Sequence, residues 1–158
     1  MDEDMKHAVA ATERLFVSKQ KIVGTSQGVT MIDHTGLHVS DPIASRRFYD
    51  KALAPLGYKM MVQIPTEHTG GAAVFGYGIP PKADFWVNEG TPNAPRVHIA
   101  FRAETHRQVD EFYQAALAAG GKDNGGPGPR PHYHKDYYGA FVLDPDGHNV
   151  EAVCHEPK

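Results

Sequence analysis

Residues 31–42 read Met-Ile-Asp-His-Thr-Gly-Leu-His-Val-Ser-Asp-Pro, a short strand that runs straight into a helix start. Leu37 and Val39 take one parity, while His34, Gly36 and His38 take the other. Successive side chains of a strand point to opposite faces, so both histidines stand away from the strand's apolar face. Ser40 and Asp41 are cap-type residues, and Pro42 suits the first helical position. Residues 43–54 follow at helical spacing, with Phe48, Ala52 and Leu53 on one side, and Pro55 and Gly57 end the helix.

Working outward, three strand candidates follow at 58–64, 72–77 and 83–87, punctuated by Gly-Gly at 70–71 and Pro-Pro at 80–81. A Pro- and Gly-containing linker, Glu89–Pro95, separates them from a second beginning. Residues 96–102 read as a strand and about 105–119 as a helix with Val109, Phe112, Ala116 and Leu117 inward. Gly120 and Gly121 stop that helix. A Gly/Pro-rich stretch covers 120–131, and strands at about 137–143 and 148–154 are joined by Asp144-Pro145-Asp146-Gly147, a turn sequence. Strand, helix and strands occur twice, which predicts an α+β fold built from two βαβββ modules, about 31–90 and 96–155. Ahead of them, residues 1–30 carry Met5, Ala8, Val9, Thr12, Leu15 and Phe16 at helical spacing. That predicts an appended amphipathic helix, packed on the body or on a second subunit.

The chain has 158 residues and a net charge of -3, with 41% apolar and 22% charged residues. This is one domain's worth of core. No long run of Lys and Arg exists to track phosphates, which argues against nucleic acid. No apolar run is long enough to span a bilayer. The single cysteine, Cys154, excludes an internal disulfide, and the acidic start does not read as a secretory signal, so a cytoplasmic protein is expected.

The second beginning, Arg96-Val-His-Ile-Ala-Phe-Arg102, repeats the alternation of the first: His98, Ala100 and Arg102 share one face, and Val97, Ile99 and Phe101 the other. Glu151 lies on the last strand. Two imidazoles and a carboxylate on the polar faces of separate strands are the ligand types of one divalent metal; the alternation does not itself bring them together. Phe85 shares parity with Val87 and reads as core, while Trp86 shares parity with Asp84 and Asn88. Cys154 has the parity of Val150 and Ala152 and reads as packed and inert.

The order and motifs resemble the vicinal oxygen chelate superfamily, which includes glyoxalase I, bleomycin-resistance proteins, fosfomycin-resistance transferases and extradiol dioxygenases. The resemblance is carried by residues 33–41, 45–49 and 53–57 in the first half. In the second it is carried by 97–101 and by Ala140-Phe-Val-Leu-Asp-Pro-Asp-Gly-His-Asn-Val-Glu151. It covers about residues 31–155. It implies a U-shaped mixed sheet with helices on its convex face, and a divalent metal (Zn, Ni, Fe or Mn) in the cleft. His34, His98 and Glu151 then take three ligand positions, and the fourth falls on Trp86, whose indole offers no lone pair to a metal. A register slip would put Asp84 there instead.

The resemblance implies a metal-dependent, glyoxalase-like enzyme acting on a small molecule with adjacent oxygens, and the lost fourth ligand argues against glyoxalase I itself. A non-catalytic binder of the bleomycin-resistance type, or an extradiol-type dioxygenase, is the alternative. Either way a small-molecule ligand and a homodimer are expected. His38 and Arg102 share the faces of His34 and His98, so with Trp86 they are candidates to bind substrate. A four-residue turn after Leu143 would set Ala140 opposite Glu151 and point Tyr138 into the cleft, as a hydrogen-bond donor to an oxyanion or as an aromatic wall. The loop from Arg130 to Tyr137 suits a lip over the cleft, with Arg130 free to hold a substrate carboxylate.

Overall fold

A computed structural model describes residues 32–157. The expected N-terminal helix lies outside them. The first half runs β1 (Thr35–Val39), α1 (Pro42–Ala52), β2 (Lys59–Ile64), β3 (Val74–Gly78) and β4 (Phe85–Glu89). The second runs β5 (His98–Arg102), α2 (His106–Ala118), β6 (Lys122–Pro129), β7 (Tyr138–Leu143) and β8 (Asn149–Cys154). Each half is a βαβββ module with its own four-stranded mixed sheet, in the orders β1-β4-β3-β2 and β5-β8-β7-β6. In both, the first strand lies parallel to the last, and the other pairs are antiparallel.

Local chemistry sets the helix ends. The Asp41 carboxylate accepts from the backbone N–H of Ile43 and Ala44, and Pro42 opens α1. Thr105 and Gln108 form a reciprocal capping box at α2. Gly57, at φ 79°, takes the left-handed turn that leads from α1 into β2.

The helix-side faces of both sheets meet in one core. Leu37, Val39, Phe85 and Val87 of the first sheet join Phe101, Ala140, Val142, Val150 and Ala152 of the second, around Phe48, Tyr49, Val109 and Phe112 of the helices. The Phe85 and Phe101 rings meet edge to face at 5.1 Å. Truncating such a ring to alanine costs about 3–5 kcal/mol. A buried polar joint holds the modules in register. Asp144 accepts from the Tyr49 hydroxyl at 2.7 Å and from the His148 amide at 2.8 Å. Buried His148 accepts from the Val97 amide at Nδ1 and donates to the His38 carbonyl at Nε2, which ties the end of β1 to the start of β8.

β6 is a difference from the sequence expectation, which read this stretch only as Gly/Pro-rich. It pairs with β7 through two register shifts. An edge strand tolerates glycine and proline because half its backbone groups need no ladder partner. No helix among the described residues is long and apolar enough to cross a membrane.

Candidate functional site

The face of the second sheet turned away from the core gathers the polar side chains. Ala100 stands opposite Glu151 on the parallel β5–β8 pair, and Phe141 stands opposite Glu151 on β7. His98 Nε2 lies 2.8 Å from Glu151 Oε2, and the Tyr137 hydroxyl donates to Glu151 Oε1. Glu151 is 1% exposed. A carboxylate so deep needs partners on both oxygens, and it has them. Burial, and then the bond to the Glu151 carboxylate, push the Tyr137 phenol well above its ordinary range, so it stays a proton donor. The Phe141 ring lies 6.1 Å from the His98 ring, and the Arg130 guanidinium lies 5.6 Å over the same phenyl.

The matching face of the first sheet has a different character. Gly36 stands opposite Trp86 as Ala100 stands opposite Glu151, so Trp86 occupies in the first module the place of Glu151 in the second. Its cross-strand neighbour is Gly76, where a Cβ would come 2.9 Å from indole Cζ3. The indole therefore occupies the space that a side chain at position 76 would need. Val62 and Val74 extend this apolar floor by register. His34 precedes β1 and is exposed, its Nδ1 2.8 Å from Asp33 Oδ1. That bond, and then the Lys82 ammonium, hold the Asp33 carboxyl below its usual range.

Of the expected metal ligands, then, the structure brings together His98 and Glu151. His34 is not with them: no three His, Cys, Asp or Glu residues cluster for a metal among the described residues. Both sheets turn their helix sides into one core, so packing of the apolar faces does not by itself bring the polar face of one sheet to that of the other.

Tyr138 does not face Glu151. It donates to Asp110 of α2 at 2.8 Å and stacks on His106 at 4.1 Å. With His106, Pro129 and Glu156 it lines a recess of about 270 Å³ on that side. The connection after Leu143 spans residues 144–148 rather than four residues, which moves the register by one and sets Phe141, not Ala140, opposite Glu151. Tyr137 takes the place expected of Tyr138; the signal that finds it is its shared parity with Gly139 and Phe141. Arg102 shares the His98 face but pairs with Glu156 at 3.4 Å. His38 lies on the Trp86 side, its amide bonded to Asn93 at 2.8 Å. Asp84 accepts from the Tyr58 hydroxyl at 3.2 Å, and Cys154 is buried.

An imidazole nitrogen beside a carboxylate oxygen suits a divalent transition metal, and Tyr137 on the far oxygen is the kind of outer partner that orients a ligating carboxylate. Within one chain this amounts to two donors, fewer than the three that open catalytic sites use.

A family model described as the Glyoxalase/Bleomycin resistance protein/Dioxygenase superfamily matches residues 31–152. Among solved structures, the chain resembles a glyoxalase/bleomycin resistance protein from Albidiferax ferrireducens T118. The identity is 27% and the TM-score 0.62, over 79% of this chain and 99% of that one. It also resembles a hypothetical protein from S. aureus, at 25% identity and TM-score 0.55, over 81% of this chain and 96% of that one. Glyoxalase I from Zea mays shares the fold at 18% identity and TM-score 0.60, over 80% of this chain and 45% of that one. A search of curated proteins finds no significant match.

Proposed function

The chain belongs to the glyoxalase/bleomycin resistance protein/dioxygenase superfamily, and from that premise we propose that it is a metal-dependent enzyme acting on a small molecule with adjacent oxygens. The observation that carries this reading is the contact between His98 Nε2 and buried Glu151 Oε2, 2.8 Å apart on neighbouring strands. His98 and Glu151 would hold a divalent metal, and His34, at the equivalent place before β1, is the third donor. Since His34 does not join them within its own chain, a second copy supplies it. A homodimer that sets the Trp86 face of one copy against the Glu151 face of the other is therefore part of the reading.

When bound, such a metal would supply Lewis acidity and a template for the two oxygens. Glu151 offers a carboxylate fixed at both oxygens, and Tyr137 keeps a proton at its hydroxyl beside Oε1. Trp86 and Phe141 exclude water. The test is elemental analysis of protein purified without chelators, alongside its mass in solution. About one metal per chain in a dimer, lost in His98→Ala, is the expected result. A metal-free monomer would overturn the proposal.

One observation favours a second reading. The half-buried indole packed against Gly76 gives this face an aromatic surface, which suits a non-catalytic protein that sequesters a planar ligand. Tight binding of aromatic ligands by metal-free protein, with no turnover, would favour it.

A further inference from the structure

Arg130 is held more firmly than a surface arginine needs to be. Nη2 donates to the Gly126 carbonyl at 2.7 Å and Nη1 to the Pro129 carbonyl at 3.2 Å. The guanidinium lies over the Phe141 ring, the same ring that borders His98. The glycines of β6 make room for it. A Cβ at Gly128 would stand 3.0 Å from Nη1, and one at Gly125 would stand 3.2 Å from the Phe141 ring and 3.6 Å from Nη2. So the glycine content that hid β6 from sequence reading forms a trough for one cationic side chain.

That cation forms no ion pair with an acidic residue among the described residues, whereas in the same module Arg102 pairs with Glu156 and Lys135 with Asp136. Two backbone carbonyls occupy two of the five guanidinium N–H groups and leave the others to a ligand. A fixed, planar, unpaired fork matches the two oxygens of a carboxylate. A lone positive charge also suits a monoanion better than a phosphate dianion, which commonly gathers several cationic or N–H donors.

We infer that Arg130 anchors a carboxylate of the small molecule, separated by the breadth of the Phe141 ring from the adjacent oxygens presented to His98 and Glu151. This rests on the function proposed above for that face and narrows it to carboxylic acids. It makes Arg130 a specificity-determining residue, and the Gly125–Gly128 trough the device that positions it.

The test uses the full-length protein with its metal and two rigid probes, catechol and 3,4-dihydroxybenzoate. They share adjacent oxygens and differ by one carboxylate. Calorimetry should show the acid binding wild type about tenfold tighter, the size of a charge-assisted hydrogen-bonded pair. Arg130→Gln should erase that preference and leave catechol affinity unchanged. Gly128→Ala, which keeps the charge but crowds Nη1, should reduce the preference, and thermal melts identify any variant that fails to fold. Equal affinity of the two probes for wild type would overturn the anchor, as would equal weakening of both by Arg130→Gln. If neither probe binds and no metal is present, the enzymatic reading fails. Benzoate against benzyl alcohol then decides the anchor alone: it stands if benzoate is preferred and Arg130→Gln abolishes the preference, and it falls otherwise. Stronger binding of phenylphosphonate than of benzoate would overturn the carboxylate assignment.

Discussion

The two sheets share one backbone plan and have opposite chemistry on the faces they turn away from the core. In the first, Trp86 lies on Gly76; in the second, Glu151 stands opposite Phe141. The bulk has changed strands. Where the last strand carries the indole, its neighbour is a glycine, and where it carries a carboxylate, its neighbour is a phenyl. Interiors and sheet faces are close-packed, so the position that carries chemistry and the position that fills space must be chosen together. The first module is a platform and the second a dyad, and each depends on its cross-strand partner.

Removing the carboxylate should have the largest effect. Glu151→Ala removes the carboxylate of the proposed site, leaving only imidazoles there, and leaves Tyr137 without an acceptor. Bound divalent metal should fall by more than about 100-fold, since even an outer partner is worth 10–100-fold. Trp86→Ala, at the equivalent place, should leave metal content unchanged. If the two substitutions lower metal alike, the modules do not divide the work in this way.

Next in size is the volume exchange. Gly76→Ala puts a Cβ 2.9 Å from the indole and 3.1 Å from Ala83 Cβ, which should cost about 1–3 kcal/mol in urea unfolding. Most of that cost should vanish in a Trp86→Leu background, a coupling that a double-mutant cycle measures. Gly139→Ala is the counterpart in the second module. Its Cβ would stand 3.1 Å from Glu151 Oε1 and from the Tyr137 ring, so it should impair the dyad and metal binding. A Gly76 substitution without cost would remove Trp86 from the platform.

Trp86→Glu sharpens the comparison further, because it gives the first module the residue of the second. A fourth donor, this one an oxygen, should tighten metal binding by about tenfold, at a stability cost of about 1–2 kcal/mol from lost apolar contact. Weaker metal binding would mean that the Trp86 face does not come near the metal.

Alternation located much of the core: Leu37, Val39, Phe85, Val87 and Phe101 read as core and are core. That Trp86 holds in the first module the place of Glu151 in the second is implied by the family resemblance, and the register agrees. What alternation does not carry is register across a turn. The connection at 144–148 is one residue longer than its turn sequence implies, and that residue exchanges Tyr138 for Tyr137 beside Glu151. Nor does it carry the pairing of β6, whose prolines and glycines argue locally against a strand and succeed only at an edge and around Arg130. The relation of His34 to His98 depends on which sheet faces share a core, a long-range property absent from any local window.

The smallest effect separates two tyrosine–carboxylate pairs, one in each module. Tyr58 donates to Asp84 and Tyr137 to Glu151. Burial, and then the negative charge of Asp84, push half-buried Tyr58 up to about 12. A phenol raised above its unfolded value near 10 stabilises the fold fully below about pH 10. Folded protein then holds a proton that the unfolded chain has released, so this contribution declines as pH rises from about 10 through 12. Tyr58→Phe should flatten the alkaline fall in unfolding free energy by up to about one proton across that window. At neutral pH it should cost only about 0.5–1.5 kcal/mol for the lost hydrogen bond. Metal content should not move. Tyr137→Phe should flatten the same limb and also weaken bound metal by about 10–100-fold, because its acceptor is the carboxylate proposed to hold the metal. Urea titrations at pH 9, 10 and 11 with metal analysis of both variants give the readout. If Tyr137→Phe leaves metal binding as unmoved as Tyr58→Phe does, Glu151 is a structural carboxylate and the two pairs serve the same purpose.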